Sequence, residues 1–163
     1  MQDAALAIVI DTNNSILLVK RKDVPVWVIP GGGIDPLESP EKAAVRETKE
    51  ETGVDVTISK HIATYTPINR LASTTYLFLC TPEKEVAITH QQEEVAEARF
   101  FPINSLPLKL FFLHKTFIEE WQEASLFPIS RELSEITYTA LFLHFLRHPF
   151  LVLRHLKTRL TKR

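Results

Sequence analysis

The chain has 163 residues, 45% of them apolar and 24% charged, with a formal net charge of −1. That composition supplies one buried core and excludes a disordered chain. A single cysteine, Cys80, excludes both a disulfide framework and Cys/His zinc spacing, which suits a reducing cytoplasm, and the N-terminus lacks the basic-then-apolar pattern of a secretory signal.

In chain order, residues 4–10 and 16–19 are apolar runs that read as strands. The turn formers Asp11-Thr-Asn-Asn-Ser15 lie between them and predict a hairpin. Val26-Trp-Val-Ile29 reads as a short third strand closed by Pro30 and three glycines. Ser39-Pro40 reads as a helix start: serine can cap orphan N–H groups, and proline at the first position gives up no needed donor. Gly53 fits the position just past the helix end, where positive φ is cheap, so the helix is expected over 40–52. Strands are expected over 54–58, 61–66 and 74–80, the last placing Cys80 as a small buried hydrophobe. Residues 82–92 read as a loop and 95–101 as another strand. Asn104 or Ser105 could cap a helix over 108–124, Ser130 a further one to Arg147, and a last helix is expected over 150–161. Strands mixed with helices in irregular order predict an α/β layered fold.

All 4 glycines lie between Gly31 and Gly53, around one acidic helix. There Glu47, Glu50 and Glu51 stand at i, i+3 and i+4 and share a helix face. Alone, E-x-x-E-E could be a solvated face softened by Lys42 and Lys49. The preceding Gly31-Gly32-Gly33 loop, which lets backbone approach a ligand closely, and Arg46 beside Glu47, able to orient its carboxylate, favour a site. Clustered carboxylates repel, and a hard divalent cation with oxygen ligands would offset that repulsion.

Residues 32–54 resemble the signature of the Nudix hydrolases, G-x5-E-x7-R-E-U-x-E-E-x-G-U with U aliphatic. Gly32, Glu38, Arg46, Glu47, Glu50, Glu51, Gly53 and Val54 all fall in register. Two positions depart. Thr48 replaces an aliphatic residue, and its hydroxyl can bond back to the carbonyl one turn earlier. Leu37 replaces a glycine that is frequent before Glu38. The resemblance covers roughly residues 4–124.

The resemblance implies an α/β fold, a Nudix α/β/α sandwich with a mixed sheet. To it the sequence adds a basic helical C-terminal extension, dividing the chain into residues 1–130 and 131–163. It also implies hydrolysis of a nucleoside diphosphate linked to a further group X, by water, with Mg²⁺ or Mn²⁺. Carried over by position, Glu50 and Glu51 would be the principal metal ligands. Glu47 would be a further ligand or the general base, positioned by Arg46. Glu38 would act through water or a more distant metal, and the Gly31 carbonyl would face the metal. Gly32 and Gly33 would let the substrate approach. Glu93 and Glu94 would supply a last ligand or base from the loop before the late strand, and Lys20 and Arg21 would meet the phosphates.

The expected substrate is a small nucleotide, a normal or oxidised (d)NTP, with ADP-ribose or a nucleotide sugar as the alternative and a non-catalytic nucleotide sensor as the rival from another class. Trp27, Tyr65 or Phe78 could stack on a base or belong to the core. Residues 131–163 carry 7 Lys/Arg against 2 Asp/Glu, interleaved with leucine and phenylalanine. That tail is expected as a helical pair packed on the core or on the twin subunit of a homodimer. An amphipathic contact with a membrane surface and contact with RNA are the alternatives. Its histidines, His144, His148 and His155, read as packing or surface residues.

Overall fold

The computed structural model describes residues 2–70, 72–84, 94–123, 128–135 and 137. The elements are β1 (Ala4–Val9), β2 (Ser15–Arg21), β3 (Trp27–Val28), β4 (Gly31–Gly33), α1 (Pro40–Thr52), β5 (Val56–Pro67), β6 (Thr75–Pro82), β7 (Val95–Pro102), α2 (Phe112–Glu123) and β8 (Ile129–Leu133). They form a sheet in the order β4-β1-β6-β5-β8 and a second in the order β3-β2-β7. β1 and β6 run parallel, as do β5 and β8, and the remaining neighbours are antiparallel.

Strand alternation divides the core in two. Ala5, Ala7 and Val9 of β1 face Ala43 and Ala44 of α1, with Val56, Phe78 and Cys80. Leu6 and Ile8, pointing the other way, join Ile16, Leu18, Tyr65 and Leu77 against Leu113, Phe117 and Ile118 of α2. The helices therefore cover opposite faces, as an α/β/α sandwich requires. Small residues on the α1 side let that helix sit close to β1 and hold its polar edge near the glycine strand. Cys80 is buried, and desolvation pushes its thiol up to about 12, which leaves it inert.

α1 forms as the sequence predicts. The Ser39 Oγ accepts from the Lys42 N–H at 3.3 Å, Pro40 opens the helix, and Gly53 closes it at φ 74°. A cap of this kind contributes about 1 kcal/mol.

Five expectations are corrected. The turn at 11–15 forms, with the Asp11 carboxylate accepting from the N–H groups of Asn13 and Ser15. However, β1 and β2 belong to different sheets and meet only at the Ile10–Ile16 bridge, so this is not a hairpin. The glycine segment, expected as a loop, is strand β4, paired with β1 from Gly31–Leu6 to Gly33–Ala4. The two strands expected over 54–58 and 61–66 are one strand, β5, whose register slips at Ile58/Lys60 and His61/Ala63. α2 starts at Phe112 rather than near 108. The Leu110 N–H is bonded to the Pro107 carbonyl in a turn, and the segment after it is laced to Trp27 by two backbone bonds of 2.8 Å. Asn104 and Ser105 therefore cap nothing.

The fifth correction concerns Ser130, which lies inside β8 and is no helix cap. β8 pairs with β5 from Ala63–Ile129 to Pro67–Leu133. Glu120 of α2 pins it, accepting from the Tyr65 hydroxyl at 2.6 Å and from the Arg131 Nε at 2.9 Å. The expected boundary at residue 130 thus falls within a strand of the sheet. The helices expected beyond it, the tail histidines and most of the 82–92 loop lie outside the described residues. Among the described residues, no helix is long and apolar enough to cross a membrane.

Candidate active site

The site is built on β4. Gly31 has φ 146°, and an added Cβ there would stand 2.2 Å from the Ala5 carbonyl oxygen, so only glycine fits. At Gly32 a Cβ would lie 2.6 Å from the Cδ of Glu47. The missing side chain is the space that the Glu47 carboxylate occupies.

Arg46 holds the acidic edge together. Its Nε and Nη2 donate to the two oxygens of Glu38 at 2.9 and 2.8 Å, in the fork geometry that suits a carboxylate. Nη1 donates to Glu47 at 2.7 Å and reaches Glu50 at 3.4 Å, and Nη2 also donates to the Gly33 carbonyl at 3.0 Å. The Arg46 bonds hold the Glu38 carboxyl down at about 2. Thr48 is buried, and its hydroxyl donates to the Ala44 carbonyl at 2.7 Å. That bond satisfies the hydroxyl where the family pattern has an aliphatic residue.

Leu37 adopts φ 71° and is fully exposed. A left-handed backbone costs a branched residue about 1–2 kcal/mol, partly offset by the greater freedom glycine loses on folding. Leu37→Gly is therefore expected to stabilise the protein by about 0.5–1 kcal/mol, read as a rise in the urea midpoint, with no loss of site chemistry.

Glu51 is 8% exposed and accepts the Gly31 N–H at 2.9 Å. Desolvation raises its carboxyl to about 7; the nearby charge of Glu47 adds to this, while the Gly31 bond and Arg21 oppose it. A buried carboxyl beside another carboxylate is one that a cation would compensate. The sequence pointed to the Gly31 carbonyl; what the structure brings to Glu51 is the Gly31 amide.

The remaining candidates divide. Glu94, just before β7, reaches the Arg21 guanidinium at 3.7 Å and lies close enough to Glu51 to raise its pKa further. Glu93 lies outside the described residues. Arg21, at the end of β2, is forked onto Asp23 at 2.8 and 2.9 Å. Lys20 is 3.8 Å from Glu97 and 5.7 Å from the Trp27 ring centroid. Both cations are therefore already paired, and Arg21 is near enough to Glu51 to act on its charge. Trp27, Tyr65 and Phe78 are buried, so none presents a free ring face to a base.

One neighbour had no signal in the sequence. His114, in the first turn of α2, accepts the Ile29 N–H on Nδ1 at 2.8 Å, so its proton is on Nε2. Burial, with a smaller push from Arg21, lowers its pKa to about 4. An unfolded histidine titrates near 6.5, so the unfolded chain takes up a proton in that interval which the folded chain refuses. The stability His114 contributes is complete above pH 6.5 and is lost as pH falls toward 4, at up to about 1.4 kcal/mol per unit. Urea midpoints between pH 7 and 5 should fall more steeply in the wild type than in His114→Phe.

The donor chemistry, carboxylate oxygens of Glu47 and Glu51 with no sulfur or imidazole, fits a hard divalent cation. Among the described residues, no three His, Cys, Asp or Glu side chains are grouped so as to hold a metal ion. Glu50, expected to converge with the other two, reaches toward Arg46 with its side chain 44% exposed.

Comparison with known proteins places the chain in a family. The family model described as the NUDIX domain matches residues 1–121. A putative 8-oxo-dGTP diphosphatase of Bacillus subtilis is 56% identical over 61 residues, 37% of this chain and 41% of that protein. An ADP-ribose pyrophosphatase of Methanocaldococcus jannaschii is 32% identical over 121 residues, 69% of each chain. The matched part thus spans less than half the length of the first relative. Among solved structures, an ADP-ribose pyrophosphatase from Streptococcus suis superposes with TM-score 0.63 at 26% identity, covering 80% of this chain and 98% of that one. A NUDIX hydrolase from Nitrosomonas europaea superposes with TM-score 0.67 at 23% identity, covering 80% and 77%, and shares the fold.

Proposed function

The chain belongs to the Nudix family, and on that premise we propose that it hydrolyses the phosphoric anhydride of a nucleoside diphosphate linked to a further group, with Mg²⁺ or Mn²⁺ as the metal. The observation that carries this reading is the pair of carboxylates at the glycine strand: Glu51, buried against the Gly31 N–H, and Glu47, fixed by Arg46 in the space that Gly32 leaves open.

Glu47 and Glu51, with the Gly31 backbone, would hold the metal, and Glu50 and Glu38 border it. When bound, the divalent ion neutralises phosphate charge and acidifies the attacking water. Arg46 keeps the Glu47 carboxylate oriented, where it would ligate the metal or accept a proton from water. Glu94, drawn in by Arg21, is the second candidate for the base. Arg21 and Lys20 would meet phosphate oxygens by exchanging the carboxylates that hold them, Asp23 and Glu97.

The preferred substrate is a nucleoside triphosphate, normal or oxidised, cleaved to the monophosphate and pyrophosphate. The similarity to the Bacillus subtilis protein over the matched 61 residues supports that choice. ADP-ribose is the second reading, supported by the Methanocaldococcus jannaschii and Streptococcus suis proteins. A panel of dGTP, 8-oxo-dGTP, ADP-ribose and UDP-glucose with Mg²⁺, compared as kcat/KM, separates them. Pyrophosphate release from a triphosphate at the highest kcat/KM supports the first reading. AMP and ribose 5-phosphate from ADP-ribose as the dominant reaction supports the second. Absence of turnover on every member would leave a nucleotide-binding module.

A further inference from the structure

The backbone that enters the glycine strand is held from both helices. Ile29 is buried, and its N–H is bonded to His114 of α2 at 2.8 Å. Pro30 has no N–H to give, and its carbonyl accepts from Ala7 at 3.0 Å. The next donor, the Gly31 N–H, goes to Glu51 of α1 at 2.9 Å. Two consecutive available amides are thus claimed by two side chains, one from each helix, on either side of a proline whose φ is fixed. The Trp27–Lys109 and Phe111–Trp27 backbone bonds, each 2.8 Å, bring the start of α2 alongside β3 and place His114 where it can act.

We infer that His114 is a positioning residue for the metal site: by accepting the Ile29 N–H it fixes the direction in which Gly31 presents its amide to Glu51. This inference rests on the hydrolase reading above only for its kinetic consequences. A buried N–H without a partner is costly, so loss of the acceptor must be answered by movement of Ile29. Pro30 is fixed in φ and its carbonyl is tied to Ala7, so that movement passes to Gly31, which is paired with Leu6 of β1 and turns its amide away from Glu51. The packing of the ring supports the same role. His114 lies 5.4 Å from Phe111 and 5.8 Å from Phe117, centroid to centroid, so the imidazole has little freedom to turn away.

The test uses His114→Phe, which keeps a ring without the acceptor, and His114→Asn, whose amide oxygen can stand in for Nδ1. His114→Phe is expected to raise the Mg²⁺ concentration for half-maximal rate and to lower kcat, each roughly tenfold as for other residues that orient a ligand through hydrogen bonds. The nucleotide KM should change less than about twofold. His114→Asn is expected to recover most of both effects. A merely structural histidine would lower Tm in both variants and leave the Mg²⁺ dependence at that of the wild type, which would overturn the inference.

Two readouts do not depend on turnover. Gly31 amide exchange should accelerate in His114→Phe and not in His114→Asn. In the wild-type protein, a ¹⁵N–¹⁵N coupling across Ile29 N–H and His114 Nδ1 should be observed. If no substrate is cleaved but the coupling and exchange pattern hold, the hydrolase reading fails and His114 keeps its place. If turnover is normal and the coupling is absent, the His114 inference fails alone.

Discussion

Glu51→Gln is expected to lower metal-dependent hydrolysis roughly 10³-fold and, in the same protein, to raise the metal-free Tm at pH 8. The rate loss follows from removing a charge that would neutralise the ion holding the phosphates, an effect of about 4 kcal/mol. The stability gain follows from burial. Gln keeps the shape and can still accept the Gly31 N–H, but it carries no charge to desolvate. The Glu51 carboxyl is raised from 4.5 to about 7. The folded protein therefore retains a proton that the unfolded chain has released, and this favours folding at low pH. The advantage is lost as pH rises from 4.5 through 7, a swing on the order of 3 kcal/mol. Above pH 7 the folded chain bears a buried carboxylate that a bound divalent ion would offset. Mg²⁺ should accordingly raise the wild-type Tm at pH 8 by on the order of 5 °C, raise it less at pH 5.5, and leave Glu51→Gln unchanged. Thermal denaturation with and without Mg²⁺ reads all of these. A Glu51→Gln protein with wild-type rate would remove the carboxylate from the chemistry.

Arg46→Ala has the second largest expected effect. The guanidinium is the shared donor to Glu38, Glu47 and the Gly33 carbonyl, so its removal takes a donor from three acceptors on one partly buried edge and leaves Glu38 with the Asp35 N–H. The expected cost is about 2–3 kcal/mol of stability and a kcat loss on the order of 10²-fold, because Glu47 is no longer oriented. Arg46→Lys separates charge from geometry. An ammonium restores a cation but cannot fork onto Glu38 while also reaching Glu47, so it should recover much of the Tm and little of the kcat. Equal kcat for lysine and arginine would show that only charge matters there.

What was legible in the sequence had local causes. α1 could be read to the residue because Ser39, Pro40 and Gly53 act within one helix turn of its ends. The acidic register could be read because Glu47 and Glu51 stand one turn apart on one helix beside Arg46, and the resemblance to the Nudix signature added Glu38. Thr48 could be read as bonding back because that partner is a turn away. What was missed depends on distant partners. A run of three glycines carries no side-chain alternation, so pairing with β1 is invisible until β1 is in place. The Ser130 region has a cap residue before an apolar stretch, yet β5 and the Glu120–Arg131 contact make it a strand. His114 lies 85 residues from the amide it accepts, and a lone histidine in an apolar helix has no pattern of its own. For Trp27, Tyr65 and Phe78 two readings stayed open, since aromatic residues suited to stacking on a base are equally suited to a core, and burial decides for the core.

We place the divalent ion, when bound, at the carboxylates of Glu47 and Glu51, beside Gly31. Titration of the ¹⁵N-labelled protein with substoichiometric Mn²⁺ tests it most directly. The Gly31 and Gly32 amides should broaden first, excess Mg²⁺ should reverse the broadening, and Glu51→Gln should abolish it. Broadening centred elsewhere, with Gly31 and Gly32 untouched, would contradict it.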